Sequence, residues 1–146
     1  MSEKKRSILA VDDNSENLAL VVSHLKGADF AVAFAREAEE ALEQLRRRTF
    51  DLVLLDIMMP GMDGYELCRQ IKAMPEYKDV PVIFLTAKGD KQSILAGFEA
   101  GAIDYIVKPF YGPELVSRVR AHVQVRAAQE RLEQINVQLN KEILRS

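Results

Sequence analysis

Phe50-Asp51-Leu52-Val53-Leu54-Leu55-Asp56-Ile57-Met58-Met59-Pro60-Gly61-Met62-Asp63-Gly64 is the stretch from which the fold is read. The unbroken apolar run Leu52–Leu55 has the length and branching of a strand buried on both faces of a parallel sheet. An ionised carboxylate is costly to bury, so Asp56, where the run stops, marks the carboxyl edge of that sheet. Open α/β folds place their ligand sites at that edge. The Pro/Gly loop that follows cannot extend the strand and lets backbone approach a ligand closely. Taken alone, the segment is explained equally well by an aspartate capping a turn.

Working outward, the same pattern recurs. Upstream, Ile8–Val11 is a short apolar run ending in Asp12-Asp13-Asn14-Ser15. Asn14 or Ser15 can cap a helix carrying Leu18, Val21, Val22 and Leu25 at helical spacing, stopped at Gly27. Phe30–Phe34 reads as a strand, and Ala38, Ala41, Leu42 and Leu45 as an amphipathic helix closed by Arg46-Arg47-Arg48. A basic run at a helix C-terminus complements the helix dipole and is ordinarily a solvated end rather than a nucleic-acid patch. Downstream, Leu67, Ile71 and Met74 mark a third helix ended by Pro75. Val82–Leu85 is a fourth strand running into Thr86-Ala87-Lys88-Gly89-Asp90, followed by a helix carrying Ile94, Leu95 and Phe98 and ending near Gly101. Ile103–Val107 is a fifth strand, with Lys108-Pro109-Phe110 behind it. Five alternations of strand and helix predict a parallel sheet covered by helices on both faces.

From Gly112, with Pro113 marking the start, one long helix runs to Ser146 without a further Gly or Pro. Val116, Val119 and Val123 can pack on the sheet. Beyond them Val125, Ala128, Leu132, Ile135, Leu139 and Ile143 recur at near-heptad spacing. At about 100° per residue this second stripe lies opposite the first and faces away from the chain's own sheet. A second copy is its natural partner, making a homodimeric coiled coil. The expected division is a globular domain over 1–122 and a coiled-coil extension over 123–146, a linker to an output domain.

Composition narrows the function classes. The chain has 146 residues, 48% hydrophobic and 29% charged, with formal net charge −2, as in a soluble globular domain. That balance does not favour direct nucleic-acid binding, and no apolar stretch resembles a signal peptide or a membrane span. Cys68 is the single cysteine; it excludes an intramolecular disulfide and any multi-cysteine metal site, and it suits a reducing, cytoplasmic compartment.

The chemistry resides in the residues that end the strands. Asp12 and Asp13 follow the first, Asp56 the third, Thr86 the fourth and Lys108 the fifth. In a parallel sheet these converge on one crevice. Three crowded carboxylates repel unless a cation sits among them, and an all-oxygen donor set selects a hard ion such as Mg²⁺. Lys108 supplies a fixed positive charge, and the Thr86 hydroxyl a donor, for a phosphoryl group. A carboxylate can accept that group, and Asp56 is the best-placed nucleophile.

In this ordered set, with VDDN, LLDIMMPGMDG, LTA and Tyr105 through KPF, the sequence closely resembles the receiver domain of bacterial two-component response regulators over about Ser7 to His122. The resemblance implies a flavodoxin-like fold with five parallel strands in the order 2-1-3-4-5. It implies phosphorylation of Asp56 by a sensor histidine kinase or a histidine phosphotransfer protein. Mg²⁺ would be held by Asp13, Asp56 and the Met58 carbonyl, with Asp12 acting through water. Lys108 would bind the phosphoryl group, with a cis peptide to Pro109. Thr86 and Tyr105 would form the switch. Met58 and Lys88 would flank the hydrolytic water and set the lifetime of the phosphorylated state. The domain would then be no enzyme beyond its own phosphorylation and dephosphorylation.

Three other readings compete. Haloacid-dehalogenase-like hydrolases also use an aspartyl phosphate, but they carry a second acid two residues after the nucleophile, where this chain has Met58. A nucleotide- or flavin-binding domain of similar fold would not present Asp12-Asp13 to phosphates without a metal. A passive dimerisation module would use the coil alone.

Overall fold

The computed structural model describes residues 5–59, 61, 63–87 and 89–145. The strands are β1 (Ser7–Val11), β2 (Ala31–Ala35), β3 (Leu52–Leu55), β4 (Val82–Thr86) and β5 (Asp104–Val107). The helices between and after them are α1 (Ser15–Gly27), α2 (Ala38–Arg47), α3 (Gly64–Ala73), α4 (Lys91–Glu99) and α5 (Gly112–Arg145). All strand pairs are parallel and the order is β2-β1-β3-β4-β5, the flavodoxin-like arrangement.

Because side chains alternate across a strand, each buried strand feeds two cores. Leu9, Val11, Val53, Leu55, Val82 and Phe84 pack with α2 and α3 on one face. Ile8, Ala10, Leu52, Leu54, Ile83 and Leu85 pack with α1 and α5 on the other. Burial on both faces is why these segments show no apolar/polar alternation.

Local chemistry sets the helix boundaries. The side chains of Asn14, Asp63 and Asp90 accept from the backbone N–H of Asn17, Glu66 and Ser93 and so cap α1, α3 and α4. Helix α1 ends at Gly27, as expected, and the left-handed position falls on Asp29 at φ 73°. At α3 the helix ends at Ala73, and Pro75 opens a short 3-10 turn, Pro75–Tyr77. The second and fifth strands each begin one residue later than expected, and the fourth extends to include Thr86.

Helix α5 packs on the sheet through Leu115, Val119 and Val123, while Val116 is only partly buried. The sheet-facing set therefore includes Leu115 and draws less on Val116 than the sequence suggested. Farther along, Arg126 Nε lies 3.3 Å from Glu130. Arg6, just before β1, lies 3.4 Å from Asp51 and 3.7 Å from Glu130, so α5 stays against the domain to that point. Residues 131–145 are exposed throughout. Within this projecting part Leu132, Ile135, Leu139 and Ile143 are 48–69% exposed. Val125 and Ala128, earlier in the same stripe, are exposed as well. Among the described residues, no helix is long and apolar enough to cross a membrane.

Candidate functional site

Strand register brings the polar residues together. Val11 pairs with Leu55, so Asp12 and Asp56, each one residue later, are neighbours beyond the same edge. Leu55 pairs with Phe84 and Thr86 pairs with Val107, which brings Thr86 and then Lys108 to that edge. Carboxylate oxygens of Asp12, Asp13 and Asp56 lie within 4.8 Å of one another. Asp12 and Asp56 are buried, at 4% and 8% exposure, and Asp13 is open to solvent.

The Lys108 ammonium donates to Asp12 Oδ2 at 2.8 Å and lies 3.7 Å from Asp56 Oδ1. Asp12 Oδ1 accepts from the Asn14 backbone N–H at 3.0 Å. The Lys108–Pro109 peptide is cis. Burial pushes the Asp56 carboxyl up to about 6; Lys108 opposes the rise, the Asp12 charge adds to it, and the Met58 and Ile57 N–H groups oppose it. Among the described residues, Lys108 is paired with Asp12 and lies near Asp56 within a group of three carboxylates, and a hard divalent cation fits that donor set.

Met58 is 60% exposed at the mouth of the site, and Ala87 is also exposed. Lys88, expected beside the hydrolytic water, lies outside the described residues. Thr86 is buried at 1% exposure. Tyr105 is partly buried, with its ring edge-on to Phe98 at 6.3 Å. A cavity of about 10 Å³ separates Thr86 from Ile94, Phe98 and Tyr105. The six residues expected to form a dimer seam, from Val125 to Ile143, are exposed on α5.

Two features of the site were not anticipated. Lys108 is paired with Asp12. Gly64 is a close-packing position: an added Cβ would run into the Asp56 carbonyl oxygen and the Ile57 Cα, and the Gly64 N–H donates to the Ile57 carbonyl at 2.5 Å. The Asp63-Gly64 pair was legible as a turn, but nothing local distinguishes a turn glycine from one packed against the acceptor strand.

A parallel sheet of this order, with an acidic cluster and a lysine at its carboxyl edge, is the architecture of a phosphoacceptor signalling domain. The family model for the response regulator receiver domain matches residues 8–120, and the chain belongs to that family. It is 43% identical over 139 residues to a probable cyclic di-GMP phosphodiesterase of Vibrio cholerae, covering 95% of this chain and 31% of that protein. It is 46% identical over 122 residues to the transcriptional regulatory protein ResD of Bacillus subtilis, covering 84% and 49%. A putative response regulator from Chloroflexus aurantiacus superposes with a TM-score of 0.80 at 40% identity, covering 83% of this chain and 99% of that one. The chain therefore spans half or less of the length of these two curated relatives.

Proposed function

We propose that Asp56 accepts a phosphoryl group from the phosphohistidine of a sensor histidine kinase or histidine phosphotransfer protein. The observation that carries this reading is the meeting of Asp12, Asp13, Asp56 and Lys108 at one sheet edge, with Lys108 beside Asp12 and Asp56. A carboxylate oxygen of Asp56 attacks phosphorus, the P–N bond breaks, and its electron pair stays on the departing imidazole. Asp13, Asp56 and the Met58 carbonyl would hold Mg²⁺, with Asp12 acting through water. When bound there, the ion would supply charge neutralisation for the transferred group. Lys108 exchanges part of its pairing with Asp12 for the incoming phosphoryl oxygens. Thr86 and Tyr105 follow the phosphoryl group into a second packing, so that phosphorylation shifts a population. The domain works in the cytoplasm and catalyses only its own phosphorylation and slow dephosphorylation, with Met58 and Lys88 setting the lifetime.

Residues 1–122 form the receiver unit, and 123–146 an extension that pairs with a second copy through Val125, Ala128, Leu132, Ile135, Leu139 and Ile143. Their exposure on a helix that projects beyond its own domain supports that partner. The match to the Vibrio cholerae protein runs over 139 residues, more than the 122 of the receiver, so it includes part of the extension. That supports control of a cyclic dinucleotide phosphodiesterase output, in the same polypeptide or a partner, rather than direct nucleic-acid binding by this domain. Fluorine NMR with Mg²⁺ and beryllofluoride tests the phosphoacceptor reading. Bound resonances in wild type that vanish in Asp56→Asn are expected; no bound resonance in folded wild type would sink it.

A further inference from the structure

Helix α4 is held to the domain differently from its neighbours. Only Gly97 is buried in it, whereas α1, α2, α3 and α5 each bury at least three residues. Leu95 is 59% and Phe98 45% exposed. An apolar face this thin contributes little burial. Gly97 brings the helix close enough that an added Cβ would lie 3.0 Å from the Phe84 ring. A polar tie sits beside that contact. The Tyr65 hydroxyl donates to the Ser93 carbonyl of α4 at 3.0 Å, and its ring meets Phe84 edge-on at 5.5 Å.

Tyr65 stands on α3 next to Gly64, which rests against the Asp56 main chain. It therefore links the acceptor loop to α4 by a route separate from Thr86 and Tyr105. The cavity between Thr86, Ile94, Phe98 and Tyr105 has about 10 Å³, the room of one water at most and far too little for a phenol ring. Entry of the Tyr105 ring into that space therefore requires α4 to move, and moving α4 strains the Tyr65 tie.

We infer that Tyr65 is a positioning residue whose hydroxyl pins α4 in the packing described above, with Tyr105 partly buried edge-on to Phe98, and so opposes the phosphorylated state. The inference rests on the proposed phosphoacceptor role of Asp56. A net hydrogen bond present in one packing and lost in the other shifts their ratio by about 2- to 10-fold. Ligand affinity for the favoured packing follows that ratio as long as the pinned packing predominates.

Tyr65→Phe keeps the ring and its contact with Phe84 and removes the hydroxyl. In full-length protein with Mg²⁺, its beryllofluoride affinity is expected to rise about 2- to 10-fold over wild type. Amide hydrogen exchange in α4 should also quicken when beryllofluoride is absent. Equal or weaker affinity overturns the inference. If the urea midpoint falls while the affinity stays unchanged, the bond serves stability in both packings and the inference fails on that result too. Wild type that takes up no beryllofluoride refutes the phosphoacceptor reading itself, whereas wild-type binding with an unchanged Tyr65→Phe affinity refutes the pin alone.

Discussion

Replacing Asp56 with asparagine should stabilise the metal-free protein, and the gain should grow with pH. The carboxyl is raised from the usual 3.8 to about 6, chiefly by burial, with Lys108 opposing and Asp12 adding. A raised carboxyl binds its proton more tightly folded than unfolded, so ionisation penalises the native state. The penalty is absent below 3.8, grows between 3.8 and about 6, and is constant above. Linkage gives about 2 kcal/mol at about pH 5 and about 3 kcal/mol at about pH 7.5. The net shift already contains the attraction to Lys108. Asparagine keeps the shape and cannot ionise, so Asp56→Asn should exceed wild type by about those amounts in urea unfolding with a chelator present. Mg²⁺ should close the gap by stabilising wild type preferentially. Equal stability at both pH values, or a variant less stable than wild type at neutral pH without metal, would refute the reasoning.

Lys108→Met removes the cation 2.8 Å from Asp12, so Mg²⁺ should bind about ten-fold more tightly by calorimetry while phosphoryl uptake slows; weaker Mg²⁺ binding would contradict the charge argument. Asp104 is desolvated, which raises its carboxyl, but His122, the Tyr105 N–H and Arg118 outweigh this and hold it below the ordinary range. Its contribution is thus present above about pH 4 and lost as pH falls through the lowered value. Asp104→Asn should lower stability by about 1 kcal/mol at neutral pH, with the difference vanishing in acid, as followed by urea denaturation. Leu132→Lys with Ile135→Lys should turn a dimer into a monomer in sedimentation equilibrium and leave beryllofluoride binding intact; a dimer that persists would move the interface elsewhere.

Much of the fold was open to reading because a strand covered on both faces has to be apolar throughout. Ile8–Val11, Leu52–Leu55 and Val82–Leu85 are nearly uninterrupted for that reason, and each ends where a polar residue reaches the sheet edge. Parallel pairing then fixes convergence, since Val11 beside Leu55 leaves Asp12 and Asp56 no other place. What stayed hidden depends on partners distant in sequence. Ile94, Leu95 and Phe98 have the spacing of a buried face, yet α4 docks through Gly97, and a glycine carries no hydropathy signal. Leu115 is buried in preference to adjacent Val116, a choice between neighbouring apolar residues that spacing alone does not make. Tyr77 looks like a loop aromatic until its hydroxyl is seen within hydrogen-bond distance of both the Leu45 and Arg48 carbonyls, its one proton shared between them, which no local pattern foretells. The pairing of Lys108 with Asp12 spans 96 positions and was equally beyond local reading.

The central claim is that Asp56 is a phosphoacceptor, and intact mass measures this most directly. Wild type and Asp56→Asn are incubated with Mg²⁺ and acetyl phosphate, and again with a chelator in place of the metal. A single labile phosphoryl adduct on wild type, absent from Asp56→Asn and dependent on Mg²⁺, is the predicted result. An adduct of equal yield on Asp56→Asn, or none on folded wild type with Mg²⁺ present, would contradict it.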